Sequence, residues 1–119
     1  KGDDEKLFAE LSNVMELSAK AHRQKRLFMG YLLGLGEGGP LGFLAINRDG
    51  NSYYRFKKAS HLIGMVGLNE MVKAHLGQEM HESNEAFKFG LKVIAHMNLA
   101  TKQMSEKYNL KFVLEQTPA

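Results

Sequence analysis

Five histidines and thirteen carboxylates are the obvious candidates for metal or acid–base chemistry in this sequence. His75 and His81 stand six positions apart, while His22, His61 and His96 are scattered. A helix brings two imidazoles to one face at i, i+3 or i+4, and no pair has that spacing or a carboxylate to complete it. The histidines are therefore expected as surface or capping residues, and no metal site is expected. Cysteine is absent. That removes disulfides, thiolate metal sites, iron–sulfur clusters, and any cysteine nucleophile or thiyl radical formed within these residues. No nucleophile elbow, Ser/His/Asp set or paired-carboxylate arrangement is readable. Glu79, Glu82 and Glu85 gather at the start of a long helix, where negative charge is stabilised anyway. The seven methionines fall at helical spacings and read as gap-filling core.

Two places are chemically interesting by position. Gly67-Leu68-Asn69-Glu70 is a strand-to-helix turn. In α/β folds ligands gather at the C-terminal ends of parallel strands, where helix N-termini present N–H groups. An equally good reading has Asn69 capping the helix and Glu70 complementing its dipole. Gln116-Thr117-Pro118-Ala119 again follows a strand, and the Thr117 hydroxyl with the amides of a following turn could bind phosphate oxygens. A formal G-x-G-x-x-G at Gly34, Gly36 and Gly39 has a helix before it and Pro40 after it. A dinucleotide fingerprint needs a strand before and a helix after, so this stretch reads as a connector.

The elements that must position these residues follow from periodicity. Residues 3–29 read as one long helix: Asp3 or Asp4 caps it, and Leu7, Phe8, Leu11, Val14, Met15 and Ser18 share an arc. Arg23, Lys25 and Arg26 sit near its end, and Gly30 terminates it. Leu41–Asn47 and Ser52–Phe56 flank Asp49-Gly50, a hairpin dipeptide. Residues 60–67 form an apolar run closed by glycine, as in a strand buried on both faces. A short helix runs from Leu68 to Leu76 and stops at Gly77; Ser83 caps a second long helix over 84–108, which Asn109 ends. Its inward face is read as Phe87, Gly90, Leu91, Ile94, Met97, Thr101 and Met104. Residues 111–114 form the last strand. Strand, helices, strand is a βαβ-like crossover, pointing to a parallel α/β sheet or barrel.

The chain has 119 residues, 44% hydrophobic and 24% charged, enough for one domain with a real core. Its longest uncharged stretch, Leu27 to Gly36, is too short and too glycine-rich to span a bilayer, and no signal peptide is evident. A soluble chain, cut from a longer one, is expected. The net charge of +3 is only mildly basic. Lys20, Arg23, Lys25 and Arg26 cluster, as do Arg55, Lys57 and Lys58 beside Tyr53, Tyr54 and Phe56. Basic residues interleaved with aromatics suit single-stranded nucleic acid, but a solvated helix face and an outward-charged strand are the simpler reading.

Ser60-His61-Leu62-Ile63-Gly64-Met65-Val66-Gly67-Leu68-Asn69-Glu70 resembles the S-x-x-I-G-x-V-G-L-N-E strand and turn of the anaerobic (class III) ribonucleoside-triphosphate reductases. Lys1 to Phe8 is similar to that family's K-G-D-x-x-x-F-F helix start, and Gly77 to Ser83 to its turn into the next helix. Tyr108 to Ala119 resembles its Y-G-x-x-F-x-L-x-x-T-P-[SA]-E run. The resemblance is colinear over essentially the whole chain and departs most between Gly34 and Asn51.

The resemblance implies a fragment: a helix-rich segment of the ten-stranded glycyl-radical α/β barrel, single over residues 1–119, with the parent chain extending beyond both ends. The thiyl-radical cysteine would precede Lys1, and the glycyl-radical loop and zinc-binding cysteines would follow Ala119. The ATP/dNTP effector sites would lie earlier in the chain. No catalytic residue and no cofactor falls within the segment. Substrate binding is expected at Thr117, Pro118 and Ala119, the start of a triphosphate loop cut before its Glu, and at Gly67 and Asn69. The parent chemistry would replace the ribose 2′-OH by hydrogen after a cysteine radical abstracts the 3′-hydrogen. Implied partners are a ribonucleoside triphosphate, a radical-SAM activating enzyme and a second copy in a homodimer, in an anaerobic cytoplasm, with neither membrane nor nucleic acid. The alternatives are a stand-alone helical module that binds nucleic acid through Arg55, Lys57 and Lys58, and a glycyl-radical segment with another substrate.

Overall fold

The computed structural model describes residues 2–116. Helix α1 spans Asp4–Gly34, and Asp3 caps it by accepting the Lys6 N–H at 3.0 Å. The helix runs through Gly30, the expected stop, and ends at Leu35. An interior glycine costs only about 1 kcal/mol against alanine, too little to end a helix by itself. Arg23, Lys25 and Arg26 consequently lie mid-helix, and no basic residue occupies the last turn.

The expected hairpin is present but short. Strands β1 (Asn47–Arg48) and β2 (Asn51–Ser52) pair antiparallel, and Asp49 and Gly50 both take positive φ, 54° and 77°. That is the primed turn the dipeptide favours. The flanks depart from strand: Gly42–Ala45 is a helical turn, α2, and Phe56–Lys58 a 3₁₀ turn. Two-residue strands exposed at every position have too little apolar contact to propagate further.

Strand β3 spans Ser60–Met65 and β4 Lys111–Gln116, paired parallel with Ser60 opposite Lys111 and Met65 opposite Gln116. Helices α3 (Leu68–Leu76) and α4 (Asn84–Tyr108) lie between them in the chain. This is the βαβ-like crossover. Gly77 and Asn109 end the two helices in the left-handed conformation, and Ser83 caps α4 by accepting the Ala86 N–H at 3.1 Å.

The core joins α1, α4 and the two strands around Met15, Ala19, Val93, Met97, Met104 and Phe112. Two expectations about it need correction. Strand β3 is not buried on both faces: only Ile63 is buried, and Leu62 is 50% exposed. Helices cover the Ile63 face of β3, while Ser60, Leu62 and Gly64 on its other face are exposed. Helix α4 likewise turns Ala86, Phe89 and Val93 inward with Gly90, Met97, Thr101 and Met104, leaving Phe87 and Leu91 about half exposed. Its apolar arc is wider than one neighbour can cover. The radius of gyration, 18.7 Å, exceeds the roughly 13.5 Å of a compact domain this long.

The start of α1 is held by Gly2 and His75. The Gly2 N–H donates to the His75 carbonyl at 3.0 Å, and a Cβ on Gly2 would clash with the His75 ring, 2.1 Å from Nδ1. That ring stacks on Phe89 at 4.9 Å and bonds Asp4 at 2.8 Å. Glycine followed by the capping acid is therefore what lets α1 begin against α3 and α4.

Three carboxylates at element junctions titrate low. Lys107 and Tyr108 donate to Glu16, His75 bonds Asp4, and Lys73 donates to Glu79, each bond holding the carboxyl below its ordinary value. A folded-state value below the unfolded one gives stability that is complete above the unfolded value and lost as pH falls through the folded one. Denaturation by urea is expected to show stability declining below pH 4.5, the ordinary value for glutamate, with a shallower decline in Glu16→Gln. An equal slope in that variant would contradict the Glu16 assignment.

Candidate functional site

The C-terminal ends of parallel strands are where an α/β unit presents ligands with backbone donors, so the site is built from the ends of β3 and β4. Strand β3 leads through Val66 to Gly67, the N-cap of α3, whose φ is 76°. A side chain there would strain the backbone, and the Glu70 carboxylate lies 3.8 Å from where a Cβ would sit. Gly67 makes the sharp strand-to-helix turn with no side-chain cap on α3.

Asn69 does not cap α3. Its Oδ1 accepts the Met80 N–H at 2.9 Å, and its Nδ2 donates to Glu79 Oε2 at 3.3 Å. The other Glu79 oxygen accepts from Lys73 at 2.6 Å, and the Glu79 N–H donates to Glu82 at 2.6 Å. One amide thus ties the first turn of α3 to the connection entering α4. Glu79 and Glu82 stand in that connection, ahead of the helix.

Gly67, Asn69 and Glu70 meet Gln116, the last residue of β4, around a cavity of about 580 Å³. Phe87, Leu91 and Ile94 of α4 form its apolar wall. No cation lines it among the described residues. Such a wall suits apolar contact; among the described residues the lining holds no hydroxyl, and its one charged group is the Glu70 carboxylate. Thr117, Pro118 and Ala119 follow Gln116 in sequence and lie outside the described residues.

The family model for anaerobic ribonucleoside-triphosphate reductase matches residues 1–119. The chain belongs to that family. Comparison with curated proteins and with solved structures found no match. The Gly67 turn and the Asn69 bridge give physical content to the strand-and-turn sequence that ends in Leu68-Asn69-Glu70. Glycine makes the turn and asparagine fixes the helix that follows it.

Four of the chain's five histidines are not surface or capping residues but contacts between elements. His22 bonds the Leu62 carbonyl at 2.9 Å, His96 bonds Ser12 at 2.9 Å, and His75 joins Asp4 to Phe89. The rings of His22 and His61 meet edge-on at 5.5 Å. Only His81 behaves as expected, 76% exposed beside Glu79. Among the described residues no group of three or more potential ligands is placed to hold a metal ion. No helix in them is long and apolar enough to cross a membrane.

Proposed function

We propose that this chain is a segment of the catalytic barrel of an anaerobic ribonucleotide reductase, and that its strand ends form part of the substrate floor. The observation that carries this is the family match over the whole chain, and the parallel β3–β4 pair supports it by bringing Gly67 and Asn69 beside the strand that leads to Thr117. The uncovered face of β3 and the exposed wall of α4 are surfaces that neighbouring barrel elements would bury. They fit a stand-alone module poorly, because isolated domains rarely leave so much apolar surface open.

In this reading the parent enzyme reduces ribonucleoside triphosphates to deoxyribonucleotides, as an activase-dependent homodimer in an anaerobic cytoplasm. The glycyl radical supplies the oxidising equivalent that starts ribose chemistry. It resides outside these residues, as do the thiyl cysteine, the zinc ligands and the effector sites; the chain has no cysteine to take either role. What the chain itself contributes is position. Gly67 lets the backbone turn close under the substrate, Asn69 holds α3 in place, and Thr117 with the amides after it binds triphosphate oxygens.

In the activated full-length enzyme, Thr117→Val is expected to raise the KM for ribonucleoside triphosphate about tenfold, the worth of one hydrogen bond to a charged group. The radical signal should be unchanged. An unaltered KM would remove Thr117 from the substrate site.

A further inference from the structure

Helix α1 is tied to the rest of the fold at two levels. Its first half bonds α4, through Ser12 to His96 and through Glu16 to Lys107 and Tyr108. Further along, His22 Nε2 donates to the Leu62 carbonyl of β3 at 2.9 Å. This second level is built around imidazoles. The His61 ring lies edge-on to His22 at 5.5 Å and against Phe112 at 5.6 Å, and Phe112 also meets His22 at 5.9 Å. Three rings from α1, β3 and β4 thus close one joint.

Two features oppose a proton in this joint. His61 Nδ1 is shielded from solvent and has no hydrogen-bond partner in the fold, so an N–H formed there is buried without an acceptor. The surroundings also disfavour charge. Burial first, and then the positive charges of His22, Arg26 and Lys25, hold the imidazole below its ordinary pKa of 6.5. The Lys111 backbone pulls the other way but gives Nδ1 no hydrogen bond. Around the ring, α1 presents His22, Lys25 and Arg26, the connection before β3 presents Tyr54 and Lys57, and β4 presents Lys111. Helix α4 adds Tyr108, set against Phe112. Among the described residues no carboxylate lines the two cavities that His61 borders. An imidazole in water takes up a proton near neutrality, so acid favours the state in which water reaches this ring.

We propose that the His22–His61–Phe112 joint is an acid-sensitive latch, which releases the second half of α1 from the β3–β4 pair when His61 takes up a proton. Opening breaks the His22–Leu62 bond and parts the rings, while Ser12 and Glu16 keep the first half of α1 on α4. The stabilisation is complete above pH 6.5, the ordinary value, and is lost progressively below it, because the folded-state value lies lower. That window lies above the one in which Asp4, Glu16 and Glu79 protonate. The latch does not depend on the substrate reading, since Gly67 and Asn69 stand beyond the other end of β3.

The test is an NMR titration of the histidine rings of the whole chain between about pH 7.5 and 5, with amide hydrogen exchange followed segment by segment. His61 is expected to protonate at lower pH than the exposed His81. As it does, exchange corrected for its intrinsic pH dependence should accelerate in Ser60–Met65 and in α1 beyond His22. The rise is at most about tenfold per pH unit, the limit for one proton. Helix α4 should stay protected. His61→Phe fills the site without titrating and should abolish this pH dependence. His22→Gln keeps a donor for Leu62 but removes a charge and should reduce it, and His81→Gln should leave it unchanged. Three outcomes would overturn the proposal: His61 titrating together with His81, an equal rise of exchange in α4, or a pH dependence that persists in His61→Phe.

Discussion

Phe112→Ala is expected to destabilise the chain by about 3–5 kcal/mol, the usual loss on emptying a buried aromatic site. The side chain is 6% exposed and stands opposite His61 in the β3–β4 register. Rings of His22, His61 and Tyr108 surround it at 5.9, 5.6 and 6.4 Å. Its N–H donates to the Ser105 hydroxyl at 3.0 Å, binding β4 to the helix it follows. One residue therefore joins both strands to both long helices, and no neighbour can relax into the void without moving a second element. Against domain stabilities of about 5–15 kcal/mol this is a large share, so the variant should unfold at a much lower urea concentration than the parent. Phe112→Leu keeps most of the volume and should lose less than half as much. Urea denaturation followed by circular dichroism measures both, and a loss under 1 kcal/mol for the alanine variant would contradict this packing.

Asn69→Ala should cost about 2 kcal/mol, because it leaves the half-buried Met80 N–H without its acceptor and Glu79 without one of its donors. Asn69→Asp gives a sharper test. It keeps an acceptor for Met80 but sets a second carboxylate against Glu79, whose carboxyl Lys73 and Asn69 now hold low. That variant should be less stable than the parent at pH 7 and recover part of the difference as the pH falls and either carboxylate protonates. A purely substrate-contacting Asn69 would leave the denaturation midpoint of both variants unchanged and move only the KM.

The features legible in the sequence were those decided within a few residues. Asp3 and Ser83 cap because their oxygens reach N–H groups three positions on, and Gly77 and Asn109 stop helices because they tolerate positive φ. The same local chemistry made Asp49-Gly50 a hairpin turn. What could not be read was decided by partners far along the chain. Gly30 continues a helix that later turns and α2 support, and the inward face of α4 is chosen by α1 and β4 from an apolar arc too wide to be specific. His22 and His61 are 39 positions apart in sequence, so nothing local foretold that they meet. Arg26 and Lys57 line one cavity, and this too was hidden, because each basic cluster alone reads as a solvated surface. Asn69 was legible as a helix-start residue, but its partners lie ten and eleven positions on, beyond the range of a cap. Near the strand ends, the residue types and the parallel order were readable, whereas the apolar wall that α4 lends to the cavity was not.

The proposed function is tested most directly by an anaerobic turnover assay on the full-length protein carrying this chain, after treatment with a radical-SAM activating enzyme to install the proposed glycyl radical. Each ribonucleoside triphosphate is supplied with reductant, and products are separated by chromatography. Deoxyribonucleotide formation is expected, and it should cease when the radical is quenched by oxygen. An intact radical signal with no deoxyribonucleotide from any of the substrates would contradict it.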